Sequence, residues 1–304
     1  MRRKRHSCGD AHDDDSGSFD SFLSNVRTDR DDMADAQAKF RGVVKKLHSH
    51  YYGSFYDGST AKLIGSYGKG TTVKPPRDVD ILFIMPFDQF SRYDSYLGNG
   101  QSQLLQDVKK ILQQRYTTTD GMRGDGQVIV VPFKGGHTVE LLPAWKLTSG
   151  KYYVPNTHDG GSWKTVDHNA EIGNVDNSDN NSNGNTRDLI RMMKIWQAEC
   201  SVPIKSLTLE LRTVNFLKSW PHRGNSPMYY DWMVRDFFSE LVKNANNYCV
   251  IPGIDERCYY VDTWLSRAES AHGRALKACD YESSGKHYAA VAEWQKIFGS
   301  QFDY

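Results

Sequence analysis

Gly65-Ser66-Tyr67-Gly68-Lys69-Gly70-Thr71, followed after a short loop by Arg77-Asp78-Val79-Asp80-Ile81-Leu82-Phe83, decides which fold this chain can adopt. Residues 79–85 are apolar and rich in Ile, Val and Phe. That composition predicts a buried strand, on which side chains two apart share a face. Asp78 and Asp80 therefore project together. Two carboxylates side by side at the head of such a strand repel each other unless a cation lies between them, and ligands that offer only oxygen favour a hard ion such as Mg²⁺.

The glycine-rich segment precedes that strand instead of following one, and Gly-x-x-x-x-Gly-Lys-Ser/Thr cannot be written onto residues 65–71. A P-loop is thereby disfavoured. A turn of small residues exposes backbone N–H groups, and Gly65, the Ser66 hydroxyl and the Lys69 ammonium make it a candidate cradle for a triphosphate. A tight turn carrying a solvated Lys is the plainer alternative, and the downstream Asp-x-Asp outweighs it. A metal pair calls for a third acid on a neighbouring strand. Residues 126–133 and 137–142 read as two strands joined by Lys134-Gly135-Gly136, with hairpin character. Glu140 stands within the second, flanked by Val139, Leu141 and Leu142, where an unpaired acid is costly. It is expected as the third ligand, with a salt bridge to Arg77 or Lys146 as the alternative. His137 is expected as an exposed hairpin histidine outside the site.

Gly-Ser, a spacer of eleven residues, Asp-x-Asp, and a later apolar strand with a single acid resemble the signature of the polymerase-beta-like nucleotidyltransferases. In detail, residues 65–71 and 78–83 resemble the bacterial cGAS/DncV-like nucleotidyltransferases, or CD-NTases. Asn183-Gly184-Asn185-Thr186-Arg187-Asp188, running on to Trp196, is similar to the helix that opens the second half of that family. Pro203-Ile204-Lys205-Ser206 is similar to its next helix, and residues 294–302 to its closing motif. The resemblance covers the chain from about residue 30 onward. It implies an α+β, two-lobed polymerase-beta-like fold, with a mixed sheet core and a mainly helical C-terminal lobe. It further implies that Asp78 and Asp80 hold two Mg²⁺ ions, with Mn²⁺ as a substitute, and that Glu140 completes the ion nearest the attacking hydroxyl. Ser66 would bind the donor triphosphate, Lys194 its terminal phosphates, and Ser206 would join Lys194. Many relatives carry Asp where this chain has Glu140.

The function so implied is template-independent joining of nucleoside triphosphates, ATP foremost, into a cyclic di- or trinucleotide second messenger for anti-phage (CBASS) signalling. Pyrophosphate is released, and a separate effector reads the cyclic product. A linear 2′-5′ oligoadenylate synthetase-like or tRNA-modifying nucleotidyltransferase is the alternative within the enzyme class. A catalytically inactive nucleotide-binding module is the alternative outside it.

At 304 residues, 38% hydrophobic and 25% charged, the chain is long enough for a sizeable core and two lobes. No apolar run reaches the ~20 residues of a membrane span and no leader is evident, so no membrane role and a cytoplasmic location are expected. The net charge of +1 disfavours activation by duplex nucleic acid. Five scattered cysteines, at 8, 200, 249, 258 and 279, suggest neither a disulfide framework nor a zinc knuckle. The expected organisation is a flexible arm over 1–28, a nucleotidyltransferase core with a spine helix over 29–180, and a helical lobe over 181–304. Ala36, Phe40, Val43, Val44, Leu47 and Tyr51 recur at the spacing of the spine helix, and residues 101–116 form a second amphipathic helix behind the sheet. The polar run 176–185 is expected as the loop between lobes. Further helices are expected at about 186–199, 204–219, 229–247, 258–278 and 285–298, with their tryptophans in the core.

Overall fold

The computed structural model describes residues 13–76, 78–134, 137–225, 227–259 and 262–303. Backbone contacts divide the chain into two units, one of residues 28–173 with 252–254, the other of the remainder. The division falls within one helix, between Gly173 and Asn174. Among the described residues no helix is long and apolar enough to cross a membrane.

After α1 (Asp13–Val26), which belongs to the second unit, the first unit opens with α2 (Arg30–Tyr52). Asp29 and Asp32 close a capping box at its start and Gly53, at φ 64°, ends it in the left-handed region. Then come β1 (Ala61–Leu63), α3 (Gly65–Lys69), β2 (Asp78–Ile84), α4 (Phe90–Asp94) and α5 (Gly100–Gln113). They are followed by β3 (Arg123–Asp125), β4 (Val128–Pro132), β5 (Thr138–Lys146), β6 (Tyr152–Asn156), β7 (Ser162–Val166) and the start of α6 (His168–Asn181). The seven strands form one mixed sheet of order β1-β2-β5-β4-β3, with β6 paired to β5 and β7 to β6. Only β2 and β5 run parallel; the other neighbours are antiparallel.

Alternation along β2 and β5 sorts the two faces of this sheet. Val79, Ile81, Phe83, Val139 and Leu141 pack in one core with Phe40, Val43, Val44 and Leu47 of α2 and Leu104, Leu105, Val108 and Leu112 of α5. Leu82, Leu142 and Ala144 turn to a smaller cluster on the opposite face with Ile64, Tyr152 and Val154. Asp78, Asp80 and Glu140 share the parity of that second group. The spine helix, the helix behind the sheet and the β4–β5 hairpin stand where the sequence places them; Gly135 and Gly136 of the hairpin turn lie outside the described residues, as does Arg77.

The second unit is helical: α1, the end of α6, α7 (Asn185–Glu199), α8 (Ser206–Ser219), α9 (Tyr230–Lys243), α10 (Leu265–Ser283) and α11 (His287–Phe298), with a hairpin of β8 (Tyr248–Val250) and β9 (Arg257–Tyr259). Two expectations need correction here. Residues 1–28 do not form a flexible arm throughout, because α1 buries Phe19, Phe22, Leu23 and Val26. Phe19 meets Trp294 and Phe302 edge-on at 5.2 and 5.0 Å, and Phe22 lies 4.8 Å from Phe298. Residues 1–12 lie outside the described residues. Nor is 176–185 a loop: it holds the last turns of α6 and the first residue of α7, with Asp179, Ser182 and Asn185 buried.

The polar side chains of that run satisfy one another. Ser178 and Ser182 each bond Thr186 at 2.8 Å, Arg187 pairs with Asp176 and Asp179, and Asn185 donates to the carbonyls of Arg223 and Asn225 at 2.9 Å. Asp188 binds Arg27 at 2.7 Å, Arg191 at 2.8 Å and the Tyr230 hydroxyl at 2.9 Å, which fastens the end of α1 to α7. Trp196, Trp220, Trp264 and Trp294 are buried; Trp232 is only partly so. Cys249 and Cys258, nine residues apart, are register partners across the β8–β9 hairpin and are not joined in a disulfide.

Candidate active site

The three acids meet because of strand register. Asp78 pairs with Thr138 and Asp80 with Glu140 across the parallel β2–β5 ladder, so all three carboxylates lie on one face within two neighbouring rungs. The row continues as Glu140↔Val130 and Val130↔Arg123, which brings the guanidinium of β3 to the same face. Asp78 is exposed, and Asp80 and Glu140 are half-buried. Burial pushes the Glu140 carboxyl above its ordinary value, Asp78 and Asp125 push it further, and Arg123 opposes them. The centre therefore carries more negative charge than its own cations neutralise, and its donors are all carboxylate oxygens. That combination fits a hard divalent cation.

Residues 65–69 form a one-turn helix, not the open turn expected from the glycines. Gly65 stands at φ +55°, and a Cβ there would lie 1.8 Å from Oδ2 of Asp80. Glycine at 65 thus lets the acid pack directly against the α3 backbone. Gly70 closes α3 at φ 66°, and the Thr71 N–H returns to the Ser66 carbonyl at 2.9 Å. Ser66, next to Gly65, is partly exposed. Lys69 is buried at 5% exposure and bonds Glu171 of α6 at 3.1 Å. Burial alone would push Glu171 up; the hydrogen bond from His168 and the charge of Lys69 outweigh it and hold the acid down to about 2.

Gly65, Ser66, Lys69, Asp78, Asp80 and Glu140 are thus gathered on β2, β5 and α3 of one unit. Lys194 and Ser206 stand in the other. Lys194 of α7 is buried and ion-paired with Glu210 of α8 at 3.2 Å, and the exposed Ser206 hydroxyl donates to Gln197 at 3.1 Å. The expectation of an exposed His137 is corrected: the ring is 2% exposed, with Nε2 2.7 Å from the Tyr67 hydroxyl and Nδ1 2.6 Å from Oδ2 of Asp35. Sequence reading missed Asp35, Tyr67 and Arg123 at this centre. The signal for Tyr67 and His137 was their place beside Ser66 and three residues before Glu140; Arg123 gave none.

Residues 15–179 of the 304 match the Second Messenger Oligonucleotide or Dinucleotide Synthetase domain, SMODS. The chain belongs to that family. As a CD-NTase it is a nucleotidyltransferase with the mixed sheet and helical second half of the polymerase-beta-like fold. It is similar to a probable cyclic nucleotide synthase of Bacillus cereus (strain VD146), at 24% identity over 93% of this chain and 96% of the relative. Among solved structures it resembles CdnC of E. coli MS115-1 bound to ATP, with a TM-score of 0.73, 17% identity, and coverage of 95% of this chain and 99% of the other. It also resembles the Vibrio cholerae DncV cyclic AMP-GMP synthase in complex with the linear intermediate 5′ pppA(3′,5′)pG, with a TM-score of 0.67, 13% identity, and coverage of 97% and 86%.

Proposed function

We propose that this CD-NTase joins nucleoside triphosphates, ATP foremost, into a cyclic di- or trinucleotide second messenger that serves anti-phage (CBASS) signalling in the cytoplasm through a separate effector. The observation that carries the chemistry is the row of Asp78, Asp80 and Glu140 on one face of β2 and β5, with α3 packed against Asp80. Asp78 and Asp80 would hold two Mg²⁺ ions, or Mn²⁺ in their place, with Glu140 completing one of them. When bound, such ions acidify a sugar hydroxyl and offset charge gathering on pyrophosphate. The carboxylates fix where that charge compensation sits, and the half-buried Glu140 keeps its charge most readily when a cation faces it.

Ser66 follows Gly65, against whose backbone Asp80 packs, and is partly exposed; its hydroxyl would donate to a phosphate oxygen there. Lys69 belongs to the same nucleotide-holding element, and its pairing with Glu171 ties that element to α6. Lys194 and Ser206 are assigned to the phosphates on the resemblance alone.

The test is to incubate the purified chain with each labelled triphosphate and Mg²⁺ or Mn²⁺, treat with phosphatase, and separate the products. Phosphatase-resistant product from the wild type and none from Asp78→Ala/Asp80→Ala is the expected result. Linear products alone would replace cyclisation with oligoadenylate-type synthesis. Product surviving in the double variant would overturn the acid row as the catalytic centre.

A further inference from the structure

Tyr67 lies in the middle of α3, immediately after Ser66, and its side chain runs away from the acids into the core. Its hydroxyl meets Nε2 of His137 at 2.7 Å, and Nδ1 of the same ring meets Oδ2 of Asp35 on α2 at 2.6 Å. Asp35 is ion-paired with Lys39 one turn along α2. His137 and Tyr67 are 2% and 8% exposed, so neither ring is placed to touch a nucleotide. Partners 70 and 102 residues apart in the chain are brought together here.

The donors and acceptors fix one another. A carboxylate only accepts, so the proton on the imidazole sits on Nδ1. In that tautomer Nε2 accepts from the Tyr67 hydroxyl, while Lys39 Nζ stands 3.5 Å from Nδ1. Burial, with Asp32 and Asp35 nearby, pushes the phenol up to about 12, so that donor is retained. Asp35 is held below its ordinary value by Lys39, against a smaller effect of burial, and by His137.

α3 needs such a fastening. It is five residues long, begins at Gly65 (φ +55°) and is closed by Gly70 just after it (φ +66°), positions where the backbone turns with little steric resistance. Only two of its side chains are buried, Tyr67 and Lys69. Lys69 is held by Glu171; Tyr67 is held by His137. His137 stands at the mouth of β5, three residues before Glu140. The strand that carries the third acid therefore also carries the anchor for the element that carries Ser66.

We propose that Asp35, His137 and Tyr67 form a positioning relay that sets α3 against β2 and β5 and so aligns Ser66 with Asp78, Asp80 and Glu140. The inference rests on the nucleotidyltransferase reading of this site and adds to it three positioning residues that touch no substrate.

Tyr67→Phe removes one hydroxyl and leaves the ring packed. With ATP, its kcat is expected to fall roughly 10- to 100-fold, the range that follows misplacement of a group by about 1 Å, while KM changes much less. Asp35→Asn should act in the same direction, although Asp35 and Tyr67 share only the imidazole between them. The double variant should lose no more than the worse single variant, because either change already breaks the chain of bonds. Independent, multiplying losses would show two unrelated structural contacts and overturn the relay, as would a Tyr67→Phe enzyme within about twofold of wild type.

Amide exchange supplies a readout that needs no turnover. The Gly68 and Thr71 N–H groups are bonded at 2.9 Å to Ile64 and Ser66, and Tyr67→Phe should speed their exchange while leaving the core strands as protected as before. Unchanged exchange at both overturns the proposal even if the wild type makes no product. Product from the wild type, lost in Asp78→Ala/Asp80→Ala yet undiminished in Tyr67→Phe, would sink the relay and leave the catalytic reading intact.

Discussion

Glu140 shows what the site costs the fold. Its carboxylate is half-buried beside Asp78 and Asp125, so its folded-state pKa is raised, and at neutral pH its charged form opposes folding. That burden fades as pH falls through the raised value and the acid takes up a proton. Glu140→Gln removes it, and in EDTA at pH 7 the variant is expected to melt about 2 °C above the wild type, with the difference shrinking toward pH 4, while product formation is lost. Scanning calorimetry across that range checks the first part; a lower melting temperature at pH 7 would refute it. That Asp78, Asp80 and Glu140 share one face was legible in the sequence, because acids on apolar strands lack a cheap structural explanation. The same reasoning failed for His137, since a histidine beside a glycine turn reads as exposed until Asp35 and Tyr67 arrive from distant segments.

Elements were legible where apolar residues kept a helical or alternating period, as in α2, α5 and the β4–β5 pair. α1 carries the same signal in Phe19, Phe22, Leu23 and Val26, at helical spacing, but it follows a charged run whose composition is that of a disordered segment. Its rings pack against Trp294, Phe298 and Phe302, so Phe22→Ala is expected to cost about 3–5 kcal/mol, measurable by chemical denaturation. A loss below about 1 kcal/mol would mean that α1 is not docked. α6 was missed for another reason: Ser178, Ser182, Thr186, Asp179 and Arg187 bond among themselves, and composition does not reveal mutual satisfaction. Its first turn carries Glu171, held down to about 2 beside His168 and Lys69. A depressed carboxylate contributes stability that is present above its unfolded value and lost as pH falls through the folded one. Between about pH 4.5 and 2 the wild type should therefore shed up to about 3 kcal/mol that Glu171→Gln never has, and acid titration of both followed by circular dichroism should show the variant's curve flatter in that window.

Across the whole molecule, 38 basic residues stand against 37 acidic ones, and many of the basic side chains are already engaged by acids of the same unit. Arg27 binds Asp188, Lys69 binds Glu171, Arg187 binds Asp176 and Asp179, Lys194 binds Glu210, and Arg212 binds Glu240. A duplex-activated enzyme must neutralise a row of phosphates, and each contact is bought by releasing counterions. Binding through 6–10 phosphates loses about 10³–10⁵ in affinity between 50 and 200 mM salt. A chain with a net charge of only +1 has little excess positive charge with which to make such a row. Addition of a long DNA or RNA duplex should therefore change the rate of product formation less than about twofold at low salt, where any such attraction is strongest. Strong stimulation at 50 mM salt that collapses near 200 mM would show a basic face formed despite the balanced charge. Duplex dependence would then favour a linear, oligoadenylate-type synthase over a cyclising one, because the proposed row of acids suits either.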